Sequence, residues 1–225
     1  DKADDSEKKN YLGADELPEF LGLFEGYSSF NTIIKILLFT GMRAGECLGL
    51  MWDDIDFENR KIHIHHTLAN VGGKKYLTTP KTKTSNRHQI MNDSTYELLK
   101  KHRIEQRKLQ LAMGAEFKHP EMVFTSDTGD YKDRSSLYGS FKNRLKGTEF
   151  EFMTLHMLRH SNATLLLNSG MDLKVISEHL GHANIKVTAD VYTVVLDDTR
   201  RKTADKIEEI LTEKTPNKHQ NQKSG

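Results

Sequence analysis

Cysteine is almost missing from this 225-residue sequence. Cys47 stands alone, which excludes an internal disulfide framework and a multi-cysteine zinc site and fits a reducing cytosol. An excess of either charge is missing too. Lys and Arg number 33 against 32 Asp and Glu, a formal net charge of +1, so any nucleic-acid reading must rest on where the charges sit. Long apolar runs are absent: the longest, Ile33 to Phe39, is interrupted by Lys35 and is far too short to span a bilayer. No signal-peptide pattern opens the chain, and no internal repeat or low-complexity linker divides it. What is present is a hydrophobic fraction of 36% and a charged fraction of 29%, lean but not disordered, in a chain long enough to bury a sizeable core. These features predict one soluble intracellular domain.

The charged opening, residues 1–10, reads as a frayed lead or a cut boundary, with a segment expected upstream. Residues 214–225 read as a polar tail. Between them, residues 11–213 form the expected domain. Leu17, Phe20, Leu21 and Phe24 recur at helical spacing within Ala14 to Phe24. A second helix is expected from a cap at Asn31 to Gly41, and a short third from Arg43 to about Gly49. The period then changes to two: Ile62, Ile64 and His66 alternate with His63, His65 and Thr67, followed by a turn at Gly72-Gly73, Tyr76-Leu77, and a strand at His88 to Met91. Asn92 or Asp93 starts a long helix on which Leu98, Leu99, His102, Leu109 and Met113 recur, with Gly114 as its stop. Met122 to Phe124 is left open. Further helices are expected at 136–145, 155–167, 173–180, 185–192 and 199–211. The fold class expected is mainly α with a small antiparallel three-stranded β-sheet.

Chemistry concentrates between His156 and Tyr192. His156 and Arg159 are three apart and share a helix face; His182 follows Gly181 at a helix boundary. Arg43 opens a short helix, where backbone N–H groups favour an anion, and Lys81 and Lys83 lie in a loop between two strands. Taken singly, each has a blander reading. Arg43 is a capping or surface residue, His156 a core histidine, Tyr192 a packing residue, and the lysines a solvated turn. The ordered combination outweighs these readings.

That combination carries a family resemblance. TGMRAGECLGLMWDDIDF, residues 40–57, resembles the first arginine box of the tyrosine recombinases, the phage-integrase family. PKTKTSNR resembles its β-hairpin lysine region, and residues 155–192 resemble its second box. The flavour is that of conjugative-transposon integrases. The resemblance implies a catalytic domain that cleaves and rejoins DNA through a 3′-phosphotyrosyl link. Arg43 and Arg159 would clamp the scissile phosphate, Lys81 would be the hairpin lysine with Lys83 as the close alternative, His156 and His182 the two histidines, and Tyr192 the nucleophile. Met157 stands where the family often has Asp. No cofactor and no metal are implied. The implied partners are double-stranded DNA, other copies of the chain in a tetramer on DNA, an excisionase and a host DNA-bending protein, with no membrane. The implied location is the bacterial cytoplasm at the nucleoid, and the implied role is excision and integration of a mobile element.

The residue types suit the chemistry. Two guanidiniums meet the non-bridging oxygens with charge-assisted bonds. A tyrosine with a free pKa near ~10 needs a base and cationic surroundings. A metallohydrolase is the competing enzyme class, since His156 and His160 are four apart as in HExxH helices. However, Met-Leu-Arg separates them, with no Glu to act as base. His63, His65 and His66 read as a cross-strand surface patch rather than a metal site. A DNA-binding module without catalysis is the second competitor, built on the basic runs 74–88, 134–146 and 100–108.

Overall fold

The computed structural model describes residues 10–79 and 86–181, with four further helical positions at 204, 207, 208 and 210. Its helices are α1 (Leu17–Gly22), α2 (Ser29–Thr40), α3 (Ala44–Leu48), α4 (Asp93–Met113), α5 (Arg134–Leu145), α6 (Leu155–Asn168) and α7 (Leu173–Leu180). The strands are β1 (Ile55–Asp56), β2 (Lys61–Ile64), β3 (Thr67–Val71), β4 (Lys74–Thr78) and β5 (Arg87–Ile90). Among the described residues no helix is long and apolar enough to cross a membrane. The expected helices at 185–192 and 199–211 fall outside the described residues, except for the four positions named.

Two β-units are present where the alternation predicts one. β1, β2 and β5 form a three-stranded antiparallel sheet, while β3 and β4 pair separately as a hairpin. The expected strand through His66 and Thr67 breaks at His65-His66, because Thr67 to Val71 pair with Lys74 to Thr78 about the Gly72-Gly73 turn. Tyr76-Leu77 therefore belongs to the hairpin, and the third member of the larger sheet is the two-residue β1, too short to show a period. α2 is capped by the Ser28 side chain, which accepts from Asn31 N–H, and not by Asn31 itself.

On α4 the buried face is Thr95, Leu99, His102 and Gln106, rotated from the apolar stripe expected from Leu98, Leu109 and Met113. His102 and Gln106 are buried because they hold the segment 122–124. His102 Nε2 lies 2.8 Å from the Val123 carbonyl, and Gln106 Nε2 donates to Met122 and Val123 carbonyls at 3.0 and 2.9 Å. Gln106 Oε1 accepts from Trp52 Nε1 at 2.7 Å. Burial pushes the His102 pKa down to about 4, so the ring stays neutral and acts as a structural hydrogen-bonding group.

The main core gathers Phe20, Phe24, Phe141 and Phe150, together with the apolar face of α2 and the inner residues of the sheet. α2 runs through its centre and packs on both α4 and α6. Its C-terminal carbonyls would be stranded in apolar surroundings without side-chain donors. Asn162 Nδ2 donates to Leu38 and Phe39 at 2.9 and 3.2 Å, Gln89 Nε2 to Thr40 at 2.6 Å, and Arg159 Nη1 to Gly41 at 2.8 Å. α6 and β5 are thereby fixed to one helix end.

Gly41 makes that end possible. It closes α2 at φ +64°, and a Cβ there would sit 2.5 Å from Leu180 Cδ2 and 2.8 Å from Asn162 Oδ1. Gly41→Ala is therefore expected to lower unfolding stability by about 2 kcal/mol or more. Urea denaturation of the two proteins measures it; an unchanged midpoint would show that the contact relaxes freely.

Candidate active site

Three of the six expected site residues lie in the described part of the chain, and all three converge on the end of α2. Arg43 follows Gly41 and Met42 and stands as the N-cap of α3. Its capping role and its exposure, 42% of the side chain, are both real. Arg159 sits on the second turn of α6 and is buried at 3% exposure. His156 is one turn earlier, exposed, at the mouth of a groove of about 340 Å³ lined by Arg134, Ser135, Tyr138, Thr154 and Leu155. The Thr154 side chain caps α6 by accepting from Met157 N–H at 3.4 Å, which places both functional side chains on the first two turns. Lys81, Lys83, His182 and Tyr192 lie outside the described residues.

The organising anion is Glu46. Its carboxylate is 2% exposed and accepts from four donors: Arg43 N–H at 3.0 Å, Arg43 Nη1 at 2.8 Å, and Arg87 Nη1 and Nη2 at 3.3 and 3.0 Å. Arg87 is itself buried and donates through Nε to the His179 carbonyl at 3.1 Å, tying β5 to the last turn of α7. In the sequence Glu46 carries no expected role and Arg87 stands only in the basic run 74–88, as an expected phosphate contact, whereas the structure buries it as the partner of Glu46. Two signals could have found them: Glu46 lies three residues after Arg43, the spacing of a capping box, and Arg87 alternates with His88 on a strand.

Cations outnumber anions here. Burial first, then Arg43 and Arg87, push the Arg159 pKa down to about 9, against the opposing pull of Glu46. Arg159 remains charged at neutral pH, and its Nη2 is buried without a hydrogen-bond acceptor among the described residues. Partial desolvation, followed by Arg159, Arg43 and Arg134, holds the His156 pKa below the usual imidazole range. His160 is pushed to about 4 by burial, His156 and Arg159; its ring meets that of His156 edge to face at 4.6 Å. Such a cluster is arranged for an incoming anion with several oxygens, beside a neutral imidazole able to accept a proton.

The basic runs fare unevenly. Lys142 bonds the Glu151 and Met153 carbonyls, Arg144 bonds the Leu23 carbonyl, and Lys75 bonds the Tyr131 carbonyl at 3.0 Å. Arg134 instead borders the groove with His156. On α4, Lys100, Lys101, Arg103, Arg107 and Lys108 are all exposed.

Glu46 gives a pH signature. Burial alone would raise its pKa, but the hydrogen bonds and charge of Arg87, with Arg43, outweigh it and leave the group below its ordinary 4.5. A depressed carboxylate stabilises the fold above its unfolded pKa and loses that contribution as pH falls through the folded value. Acid titration of stability should therefore show a decline below about pH 4.5 that Glu46→Gln reduces. At pH 7 the variant is expected to be about 3 kcal/mol less stable, because Arg87 is left buried without its counter-charge. Equal acid profiles for the two proteins would overturn this account.

Comparison with known proteins agrees with the geometry. The phage integrase family model matches residues 10–198. A tyrosine recombinase XerC-like protein of Caldanaerobacter subterraneus subsp. tengcongensis is 35% identical over 184 residues, covering 76% of this chain and 47% of the relative. The ICEBs1 integrase of Bacillus subtilis is 31% identical over 209 residues, covering 91% of this chain and 55% of the relative. The chain thus spans about half the length of these relatives. Among solved structures, the Tn1549 transposon integrase in complex with transposon right end DNA superposes with a TM-score of 0.69 at 27% identity, over 90% of this chain and 68% of that one. The fold is that of a tyrosine recombinase catalytic domain, and the chain belongs to the phage integrase family.

Proposed function

We propose that residues 11–213 are the catalytic domain of a site-specific DNA recombinase that cuts and rejoins strands through Tyr192, serving excision and integration of a mobile element. The observation that carries this reading is the cationic pocket at the end of α2. There the buried Arg159 has one guanidinium nitrogen fixed to Gly41 and another without an acceptor, and Arg43 is aimed by Glu46. A phosphodiester supplies the oxygens that such a pocket lacks. In the proposed reaction the Tyr192 hydroxyl loses its proton to a neighbouring base, and its oxygen attacks the scissile phosphorus. The bond between phosphorus and the 5′ oxygen breaks, and the departing 5′ oxygen takes a proton from Lys81, with Lys83 as the alternative, or from His182. Arg43 and Arg159 balance charge on the non-bridging oxygens, each donor contributing on the order of 3–4 kcal/mol. His156, neutral at pH 7, holds or accepts a proton. The bond energy stays in the phosphotyrosine, so a 5′-hydroxyl reverses the step without ATP or metal.

The proposed setting is the bacterial cytoplasm at the nucleoid. The proposed partners are double-stranded DNA, further copies in a tetramer, an excisionase and a DNA-bending protein. Exposure of Ile207 and Ile210, 54% and 45%, supports a C-terminal helix whose apolar stripe is offered to a neighbouring copy; the polar residues 214–225 lie beyond it.

Incubation with a nicked DNA half-site is expected to yield a covalent protein–DNA adduct on a denaturing gel. The adduct should be lost in Tyr192→Phe, reduced about 10²-fold or more in Arg159→Ala, and retained in EDTA. An adduct that survives Tyr192→Phe, or one abolished by chelator and restored by Mg²⁺, would overturn the assignment. Removal of residues 199–225 should impair recombination more than DNA binding; unchanged recombination would sink the docking role.

A further inference from the structure

The two faces of the β2–β5 pair differ chemically. Arg87 and Gln89 point inward to Glu46 and the end of α2, whereas His63 and its cross-strand partner His88 share the opposite face. The rings of His63 and His88 stack with centroids 4.3 Å apart, and His63 stacks on His65 at 4.0 Å. His66 adds a fourth imidazole, its ring centroid 3.9 Å from that of His65. Asp54, in the 3-10 turn Trp52–Asp54 that precedes β1, is buried against them. One of its oxygens accepts from Met51 N–H at 2.9 Å, which fixes the carboxylate, and the other lies 2.5 Å from His65 Nε2. His66 Nδ1 is buried 3.9 Å from the same carboxylate and has no hydrogen-bond partner among the described residues.

Imidazole nitrogens are metal ligands, and a buried, oriented carboxylate beside them completes a nitrogen–oxygen donor set. One ligand atom each from Asp54, His63 and His65 lie within 4.8 Å of one another. A tetrahedral zinc ion with bonds of about 2.0–2.1 Å sets its ligands about 3.3 Å apart, so rotation of the two half-exposed rings must draw in the wider spacing and open the 2.5 Å contact of His65 with Asp54.

We propose that Asp54, His63 and His65 form a binding site for one borderline divalent transition ion of the Zn²⁺ class, separate from the phosphate-binding cluster. His88, His66 or water completes its coordination. The ion joins the turn before β1 to the end of β2, beside Asn86 just before β5. His63 Nε2 already reaches Asn86 Oδ1, 2.8 Å away. The site therefore braces the strand pair whose other face orients Arg87, and takes no part in the phosphoryl step.

The test is titration of the 225-residue chain with Zn²⁺ against a chromophoric chelator, together with the visible spectrum of the Co²⁺-loaded protein. One equivalent of Zn²⁺ and a Co²⁺ absorption of tetrahedral intensity are expected. His63→Gln and His65→Gln should each weaken binding at least tenfold. His119→Gln serves as the control, because His119 meets Glu121 and Asp130 at 3.1 and 3.7 Å on another surface, and it should leave binding unchanged. Circular dichroism without metal establishes that the variants fold, and Zn²⁺ should raise the Tm of the parent but not of His63→Gln. No stoichiometric binding, binding indifferent to both substitutions, or binding lost only in His119→Gln would each overturn the proposal.

Discussion

One buried carboxylate sets the arrangement of this site. Glu46 accepts from the backbone and guanidinium of Arg43 and from both terminal nitrogens of Arg87, so a single anion joins α3 to β5. Its physical necessity is plain: Arg87 is buried and cannot be left without a counter-charge at a tolerable cost. Because Arg87 also holds the His179 carbonyl, the same carboxylate fixes where α7 ends. Arg43 is the member of the set with substantial exposure, so its guanidinium is oriented from inside while remaining accessible from outside.

The second organising feature is the C-terminus of α2. A helix end concentrates unpaired carbonyls and negative partial charge. Here three side chains from α6 and β5 satisfy them, and one of those side chains is Arg159. Structural and functional demands therefore meet in one group. Nη1 satisfies the fold, while Nη2 is buried without an acceptor among the described residues, the feature on which the proposed phosphate clamp rests. Burial first, then the excess of positive charge that Arg43 and Arg87 leave against a single Glu46, depress the pKa of Arg159, and partial burial with Arg159, Arg43 and Arg134 depresses that of His156. The buried Arg87 and Arg159 act through less water than surface charges do, which would strengthen the pull of the proposed site on an anion.

The near-neutral net charge hides this organisation. Several basic residues in the sequence runs are spent on carbonyls of their own domain, as with Lys142, Arg144 and Lys75. Others, such as Arg134 beside His156, remain at the groove. Counting charges along the chain cannot distinguish the two uses, because a lysine bonded to a carbonyl and a lysine free for phosphate are identical in sequence.

Several elements were determined locally. The short helix after Arg43, the long helix from Asp93 to Gly114, and α6 and α7 follow from apolar spacing, capping residues and glycine stops, which depend on near neighbours alone. Arg43, His156 and Arg159 were legible as a group because their motifs have fixed spacing and order. Strand pairing was not legible in the same way: Thr67 continues the alternation of β2 but pairs with Thr78, and the two-residue β1 has no period at all. Nor could spacing reveal that Gln106 would be buried on α4, or that His102, placed on the stripe by its spacing, is there as a hydrogen-bonding group, since such residues are buried where distant carbonyls await them. The partnership of Glu46 with Arg87, 41 positions apart, belongs to the same class. Sequence determined which residues can form helices and carry the chemistry; tertiary structure decided which buried polar groups must meet, because only packing removes the water that would otherwise satisfy each of them separately.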